Sequence, residues 1–504
     1  MRKIFTLFIA ILVTTLVTFR SEAQIIHVPA NQPTIQNGIN VASNDDTVLV
    51  ADGTYLENIN FRGKAITVAS HFLMDGDTNH IHNTIIDGSN PAYGDSASVV
   101  TFCNGEDTNS IIQGFTIKNG EGMYITNFSS FNVTAGGGVV CYNSGAKILD
   151  NIIVNNKAVD NTYASGGGIG CIMDPHTYWV VIKGNTIKND SIFSINGESF
   201  GAGIYVLCYA IIENNDIQEN YSYCQNGLAD GGGIGSETFN GYDSKIFLKN
   251  NVISNNHVEG NDTRGGGIYC NYSSAEIIDC EICNNSLMAS NYAVGGGVRI
   301  ARGTQKIDVH NNVISNNTIH STSRSFGAGL FLRPGVGGCN VTDNVISDND
   351  ATGGDHAYTG GLYLFANQST SIVKNNHIEN NSSYGGNQSM GAGIMIDKPE
   401  SKTVILQNTV NKNDVSGGNE YGGGFGLYET LDQEVIIEKN YISGNHSGFA
   451  GGALYSLDSY NISMINNVLT NNVSDNYGGA LRFYQASDNE ETEWGMEYDS
   501  GVKE

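Results

Sequence analysis

From Gly136 onward the apolar positions fall into a fixed phrase: two or three small residues, mostly glycine, an alternating apolar run, a second alternating run, and a close of Asn-x-Ile/Val-x-x-Asn. GGGIYCNYSSAEIIDCEICNN (Gly265 to Asn285) is one copy and GGALYSLDSYNISMINNVLTNN (Gly451 to Asn472) is another. The glycine phrase begins at Gly136, Gly166, Gly201, Gly231, Gly265, Gly295, Gly327, Gly360, Gly391, Gly422, Gly451 and Gly478. This spacing of about 31 residues lies where a repeat means a solenoid, propeller or array. Alternation with period two predicts strands, and a bend within the second run gives three short strands per repeat. Such a coil needs somewhat over ~20 residues, so about ten per repeat are left for a loop. The excess falls between the second Asn and the next glycines, as in HVEGNDTR (His257 to Arg264) and SLMASNYAV (Ser286 to Val294). All these loops leave one corner, which predicts a single ridge along the solenoid.

The two Asn positions form columns. One runs from Asn151 to Asn467 with Cys280 in one place, the other from Asn156 to Asn472 with Asp190 in one place. Asn tolerates the left-handed backbone of a tight turn, and its amide both donates and accepts, so copies stacked about 4.8 Å apart can bond up the column. A helical repeat has no use for that arrangement.

Residues 24–98 differ from the repeats. IIHVP reads as a first strand, and TIQNGINVAS (Thr34 to Ser43) reads as a short helix with Thr34 as N-cap and Ile35, Ile39 and Ala42 on one face, suited to covering the open end of the stack. DTVLVADGTYLENINF, KAITVAS and HNTIIDGSN follow as strands around turns. This stretch resembles the first coils of pectin-lyase-like proteins, and the resemblance implies a right-handed parallel β-helix. That fold houses lyases, hydrolases, esterases, epimerases and adhesins, so the resemblance does not choose an activity. GGALYS at Gly451 and GGALRF at Gly478 are also similar to the first half of the polymorphic outer-membrane protein repeat, but the FxxN half is replaced here by Ile/Val-x-x-Asn. The expected fold is therefore an all-β, right-handed parallel β-helix of about fifteen coils, with Asn ladders and a short N-terminal capping helix.

Composition narrows the setting. The 504 residues exceed one compact core, but each repeat of a solenoid buries itself only against its neighbours. MRKIFTLFIAILVTTLVTFRSEA has a basic start, an apolar run from Ile4 to Phe19 and a small-x-small close, which reads as a signal peptide cut near Ala23. Its alternative is an uncleaved anchor. The expected division is 1–23 signal peptide, 24–98 cap and first coils, 99–484 repeats, and 485–504 acidic tail, with the chain read as a fragment of a longer secreted protein. A net charge of −26 argues against nucleic acid and against an anionic membrane surface. Of nine cysteines, Cys141, Cys171 and Cys270 share one phase, a core column; Cys280 and Cys283 make a lone CxxC without the second pair a zinc site needs.

Three patterns could carry chemistry. After the glycines, outward positions hold Tyr205, Tyr269, Phe331, Tyr363 and Tyr455. An aromatic column suits sugar rings, and it equally suits a floor beneath folded-back loops. Against the acidic average, Arg299, Arg302, Lys306, His310, His320, Arg324 and Arg333 fall in two consecutive coils. Arg299, Arg302 and Arg333 are the candidate catalytic set, able to abstract a proton beside a carboxylate; a solvated basic face is the alternative. Asp174-Pro175-His176 is similar to the DPH motif of mannuronan epimerases, but the family's preceding Tyr is Cys171 here and its acidic residue in the next coil is missing. Ca²⁺ is a possible cofactor through SDNDATGGDH (Ser347 to His356), although the spacing matches no known cation loop. The expected protein is thus a secreted or cell-surface β-helix that binds polysaccharide or a surface glycan, without a membrane span once the leader is cut. The alternative is a polysaccharide lyase.

Overall fold

The computed structural model describes residues 22–91, 94, 96–128, 131–173, 178–238, 244–486 and 491–494. The chain is a right-handed parallel β-helix. One coil shows the plan. After Gly265–Gly267, Ile268–Asn271 enters a 15-stranded glycine sheet, Ser274–Ile278 a 15-stranded second sheet and Glu281–Cys283 a 14-stranded third sheet; Ser286–Val294 then makes the corner excursion. Register is strict: Ile268 lies beside Val298, Ile277 beside Val309 and Ile282 beside Ile314. These inward positions form one continuous core of Ile, Val and Leu from Ile26 to Leu454, which also contains Cys141, Cys171 and Cys270.

At the N-terminal end Ile35–Val41 is a helix, and the Thr34 side chain accepts from the Asn37 N–H at 3.1 Å. Glu57 accepts the next free donors, from Ile35 and Gln36, both at 2.9 Å. Ile35, Ile39 and Ala42 are buried against Val28 and Val48, so the helix closes the stack as its apolar face predicts.

The Asn columns are hydrogen-bonded ladders, and their two duties fall to neighbouring residues. The left-handed turn belongs to the residue before each ladder Asn, for example Asn311 at φ 61° and Asn375 at φ 56°. The ladder Asn itself spends its amide on the stack. Asn344 Oδ1 accepts from both the backbone N–H (2.9 Å) and Nδ2 (3.0 Å) of Asn312, while Asn344 Nδ2 donates to the Val309 carbonyl at 2.9 Å. Asp190 interrupts one ladder: its Oδ1 still accepts from Asn156 N–H (2.7 Å) and Nδ2 (3.0 Å), but its buried Oδ2 has no partner. Burial, opposed only by the Asn156 bonds, pushes its pKa well above the usual carboxylate range.

The expected ridge of loops is present, but it is built of strands. Each excursion has an outgoing and a returning arm, and successive arms pair in parallel: Ser286 with Thr318 going out, Tyr292 with Arg324 coming back. Small side chains such as Ala289, Ala293, Ala328 and Ala357 fill the space between the arms, with hydroxyl pairs such as Ser321 and Ser325 at 3.0 Å. This flat fin folds back over the outer face of the glycine sheet. The return to the sheet needs glycine: at Gly265, φ is 65° and a Cβ would stand 2.5 Å from the Ile268 carbonyl oxygen. In the acidic tail, Glu491–Trp494 pairs antiparallel with Leu481–Ala486, a strand the sequence pattern does not announce.

Candidate functional site

Two columns face each other where the fin covers the glycine sheet. The sheet supplies Tyr205, Gly235, Tyr269, Arg299, Phe331, Tyr363, Met395, Gly426 and Tyr455 in successive register. The fin supplies the residue just before or near each glycine phrase: Phe200, Asp230, Arg264, Val294, Phe326, Tyr358, Met390 and Tyr421. Their contact is a seam. Tyr205, Tyr269, Phe331, Tyr363 and Tyr455 are all buried in it, at 0 to 8% exposure. They form the floor under the fin, and the ring faces meet protein groups: Phe331 stacks on Tyr363 at 5.2 Å, and Tyr455 lies 4.4 Å from Tyr421.

The seam is charged toward its N-terminal half. Arg264 grips Asp230 through Nε (2.8 Å) and Nη2 (2.5 Å). Burial opposes the Arg264 charge, but the Asp230 carboxylate outweighs it and the guanidinium stays protonated. The Tyr269 ring lies between two guanidinium groups, with Arg264 5.1 Å and Arg299 4.9 Å from its centroid. Glu237 accepts from Asn271 Nδ2 at 2.7 Å, and burial carries its pKa up to about 7. Burial likewise raises Glu198 and lowers Arg299. Arg299 Nε and Nη1, Glu237 Oε2, Asn271 Oδ1 and Tyr205 OH are buried without a protein partner, so unmet donors and acceptors share one neighbourhood.

In the coils that follow directly, from Val294 and Phe331 to Tyr428, the seam opens into a pocket of about 390 Å³. Phe326 and Tyr358 from the fin and Phe331, Tyr363, Phe365 and Tyr428 from the glycine sheet line it, with Asp397 among them and Arg324 and Lys398 at its edge. The Tyr363 hydroxyl donates to Asp397 Oδ2, while Asp397 Oδ1 is buried without a protein partner. Burial raises the Asp397 pKa to about 6 against the pull of the Tyr363 bond. An aromatic lining with one convergent carboxylate is a common composition for a small-molecule site.

The structure divides the arginines that the sequence groups together. Arg299 lies in the seam, whereas Arg302 and Arg333 stand at the corner between the glycine and second sheets, where the Arg302 N–H donates to the Arg333 carbonyl at 2.7 Å. Arg324 belongs to the fin. The segment around Asp350 and His356 forms fin strands, and among the described residues no group of three or more His, Cys, Asp or Glu side chains is placed to hold a metal ion. Asp174, Pro175 and His176 lie outside the described residues. Asp230, Arg264, Glu237 and Asp397 escape sequence reasoning. The available signal is the position before the glycines, apolar in most coils and charged only at Asp230 and Arg264.

Fold and site together define a parallel β-helix with a strand-built fin, a charged seam and an aromatic pocket. The family described as right handed beta helix region matches residues 266–492, somewhat under half of the chain. No curated protein and no solved structure matches it. Among the described residues no helix is long and apolar enough to cross a membrane.

Proposed function

We propose that this is an exported β-helix protein that binds a polysaccharide or cell-surface glycan where the fin opens from the glycine sheet. The carrying observation is the pocket of about 390 Å³, with its six aromatic side chains and the unpartnered Asp397 Oδ1. Sugars present apolar C–H patches and hydroxyl donors together, which matches aromatic walls around one acceptor. Phe331 and Tyr363 take part from the wall; Tyr205, Tyr269 and Tyr455 act by shaping the seam. Binding to a glycan array, followed by titration of the selected glycan against Tyr428→Ala and Asp397→Asn, tests this. Each variant should weaken binding at least about tenfold, since each removes a contact whose partner is then left unmet. An array without a hit, or a hit indifferent to both changes, removes the proposal. N-terminal sequencing of the exported protein tests cleavage near Ala23.

One observation favours lyase action as a second reading. Arg299 has two buried nitrogens without a protein partner, and its pKa is lowered by burial and by the Arg264 charge against the opposing pull of Tyr269, Asp230 and Glu237, which is the direction a base requires. Absorbance of unsaturated uronate during incubation with acidic polysaccharides, abolished in Arg299→Gln, would support it; a flat trace across the panel rejects it.

A further inference from the structure

The corner between the glycine and second sheets holds a cavity of about 310 Å³, lined by Tyr272, Arg302, Arg333, Pro334, Val336 and Gln368 among others. Two guanidinium groups from successive coils meet there. Arg302 Nη1 donates to the Tyr272 hydroxyl at 2.8 Å and its guanidinium lies 5.3 Å from that ring's centroid. Arg333 lies 5.1 Å from the centroid of Phe365. Stacking uses the faces of both groups and leaves most N–H edges free, and the edges are where a guanidinium donates to an oxyanion.

The electrostatics point the same way. This chain has 51 acidic residues against 25 basic ones, so an arginine without a carboxylate runs against its composition. Yet the described ion pairs include neither Arg302 nor Arg333. Burial and then the charge of Arg302 lower the Arg333 pKa, and Glu400 only partly offsets them. The Arg302 N–H bond to the Arg333 carbonyl holds the two residues side by side on neighbouring coils; their like charges repel, and an anion between them reverses the sign of the interaction. A tetrahedral oxyanion can accept from two forks at once, which a single planar carboxylate does less completely.

We infer that the Arg302–Arg333 corner is a binding site for a sulfate or phosphate group, free or as an ester. This site lies outside the aromatic pocket and does not depend on what that pocket binds. The test is calorimetric titration of the full exported chain with sodium sulfate, sodium phosphate and sodium acetate at constant ionic strength. The expected result is saturable binding of a tetrahedral anion, at least about tenfold tighter than acetate, and weakened about tenfold or more in Arg302→Gln and in Arg333→Gln. Arg302 is on the surface, so its variant remains informative even if Arg333→Gln disturbs the corner. The tighter of sulfate and phosphate assigns the ester. Absence of saturable binding, acetate binding as tight as either, or affinity unchanged in Arg302→Gln overturns the inference.

Discussion

The interior of the solenoid and the seam under the fin are both columns stacked at the same register, yet they use repetition in opposite ways. Inside, neighbouring coils offer the same residue type, so each ladder Asn both donates to the next coil and accepts from the previous one. In the seam the occupant changes with nearly every coil, from Phe200 to Asp230 to Arg264 to Val294 on the fin. Repetition makes a scaffold because one solution to the hydrogen-bond problem serves everywhere. Variation makes a site because each solution is local, and some groups, such as Arg299 Nε and Asp397 Oδ1, are left unmet.

Removing a partner from the seam should have the largest effect. Arg264→Ala leaves Asp230, which is wholly buried, without its counter-charge; breaking a buried pair in this way costs about 3–5 kcal/mol. Joint replacement by Asp230→Leu and Arg264→Met should recover most of that loss, because neither member of the pair is then left as an uncompensated charge. Urea denaturation of the three proteins checks this, and a double variant as unstable as Arg264→Ala would show that the pair's geometry matters beyond its charge balance. A change in the scaffold comes next. Asn344→Ala leaves the Asn312 donors and the Val309 carbonyl unmet, at about 2–3 kcal/mol. In a solenoid the damage is shared mainly with neighbouring coils, so proteolysis should cut first near that coil. Cleavage distributed evenly along the chain would contradict the picture.

Much of the scaffold was legible because its signals are repeated. Glycine phrases, alternating apolar runs and paired Asn gave the three sheets, the ladders and the corner of the loops; Thr34, Ile35 and Ile39 gave the cap. The fin's strands were harder to see. SLMASNYAV does alternate in burial, but two of its three inward residues, Ala289 and Ala293, are too small to mark a strand, and only Leu287 is large. The seam was least legible. Arg299, Arg302 and Arg333 are close in sequence phase, yet the turn after Ala301 sends Arg302 to the corner while Arg299 stays under the fin. The partners that give Arg299 its setting, Asp230 and Glu237, come from other coils and one of them from another layer. Contacts between layers leave no periodic trace in a chain.

The next effect has the opposite sign and joins the two regions, because Asp190 is a seam-like residue placed in the scaffold. Asp190→Asn restores the missing amide, whose Nδ2 can donate to a carbonyl of the preceding coil as Asn220 Nδ2 does to Ile187 at 3.2 Å. It should stabilise the protein by about 1–2 kcal/mol at neutral pH. The Asp190 pKa is raised in the folded state, so the native carboxyl favours its proton. Its contribution is full below the unfolded carboxylate range and fades as pH rises, and the advantage of Asp190→Asn should therefore grow from pH 4 upward. A gain independent of pH would mean that the ladder geometry, and not the ionisation, limits this coil.

A change seen only as a slope with pH separates a charged seam from a merely polar one. Glu237 is pushed up to about 7 when folded, against 4.5 for the free side chain. It keeps its proton in the native state through a window in which the unfolded chain has released it. Its contribution to stability is thus full below pH 4.5 and lost as pH rises through about 7, so the wild-type protein should lose stability across that window. Glu237→Gln has no proton to lose and should remove that slope, a difference of up to about 3 kcal/mol by neutral pH. It keeps an acceptor for Asn271 Nδ2, which isolates ionisation from hydrogen bonding. Denaturation midpoints of the two proteins at pH 4, 5.5 and 7 check the sign. A parallel pair of curves would mean that solvent or the nearby Arg264 already stabilises the Glu237 carboxylate, and that the unmet groups around Tyr205 and Arg299 are open to water in the free protein.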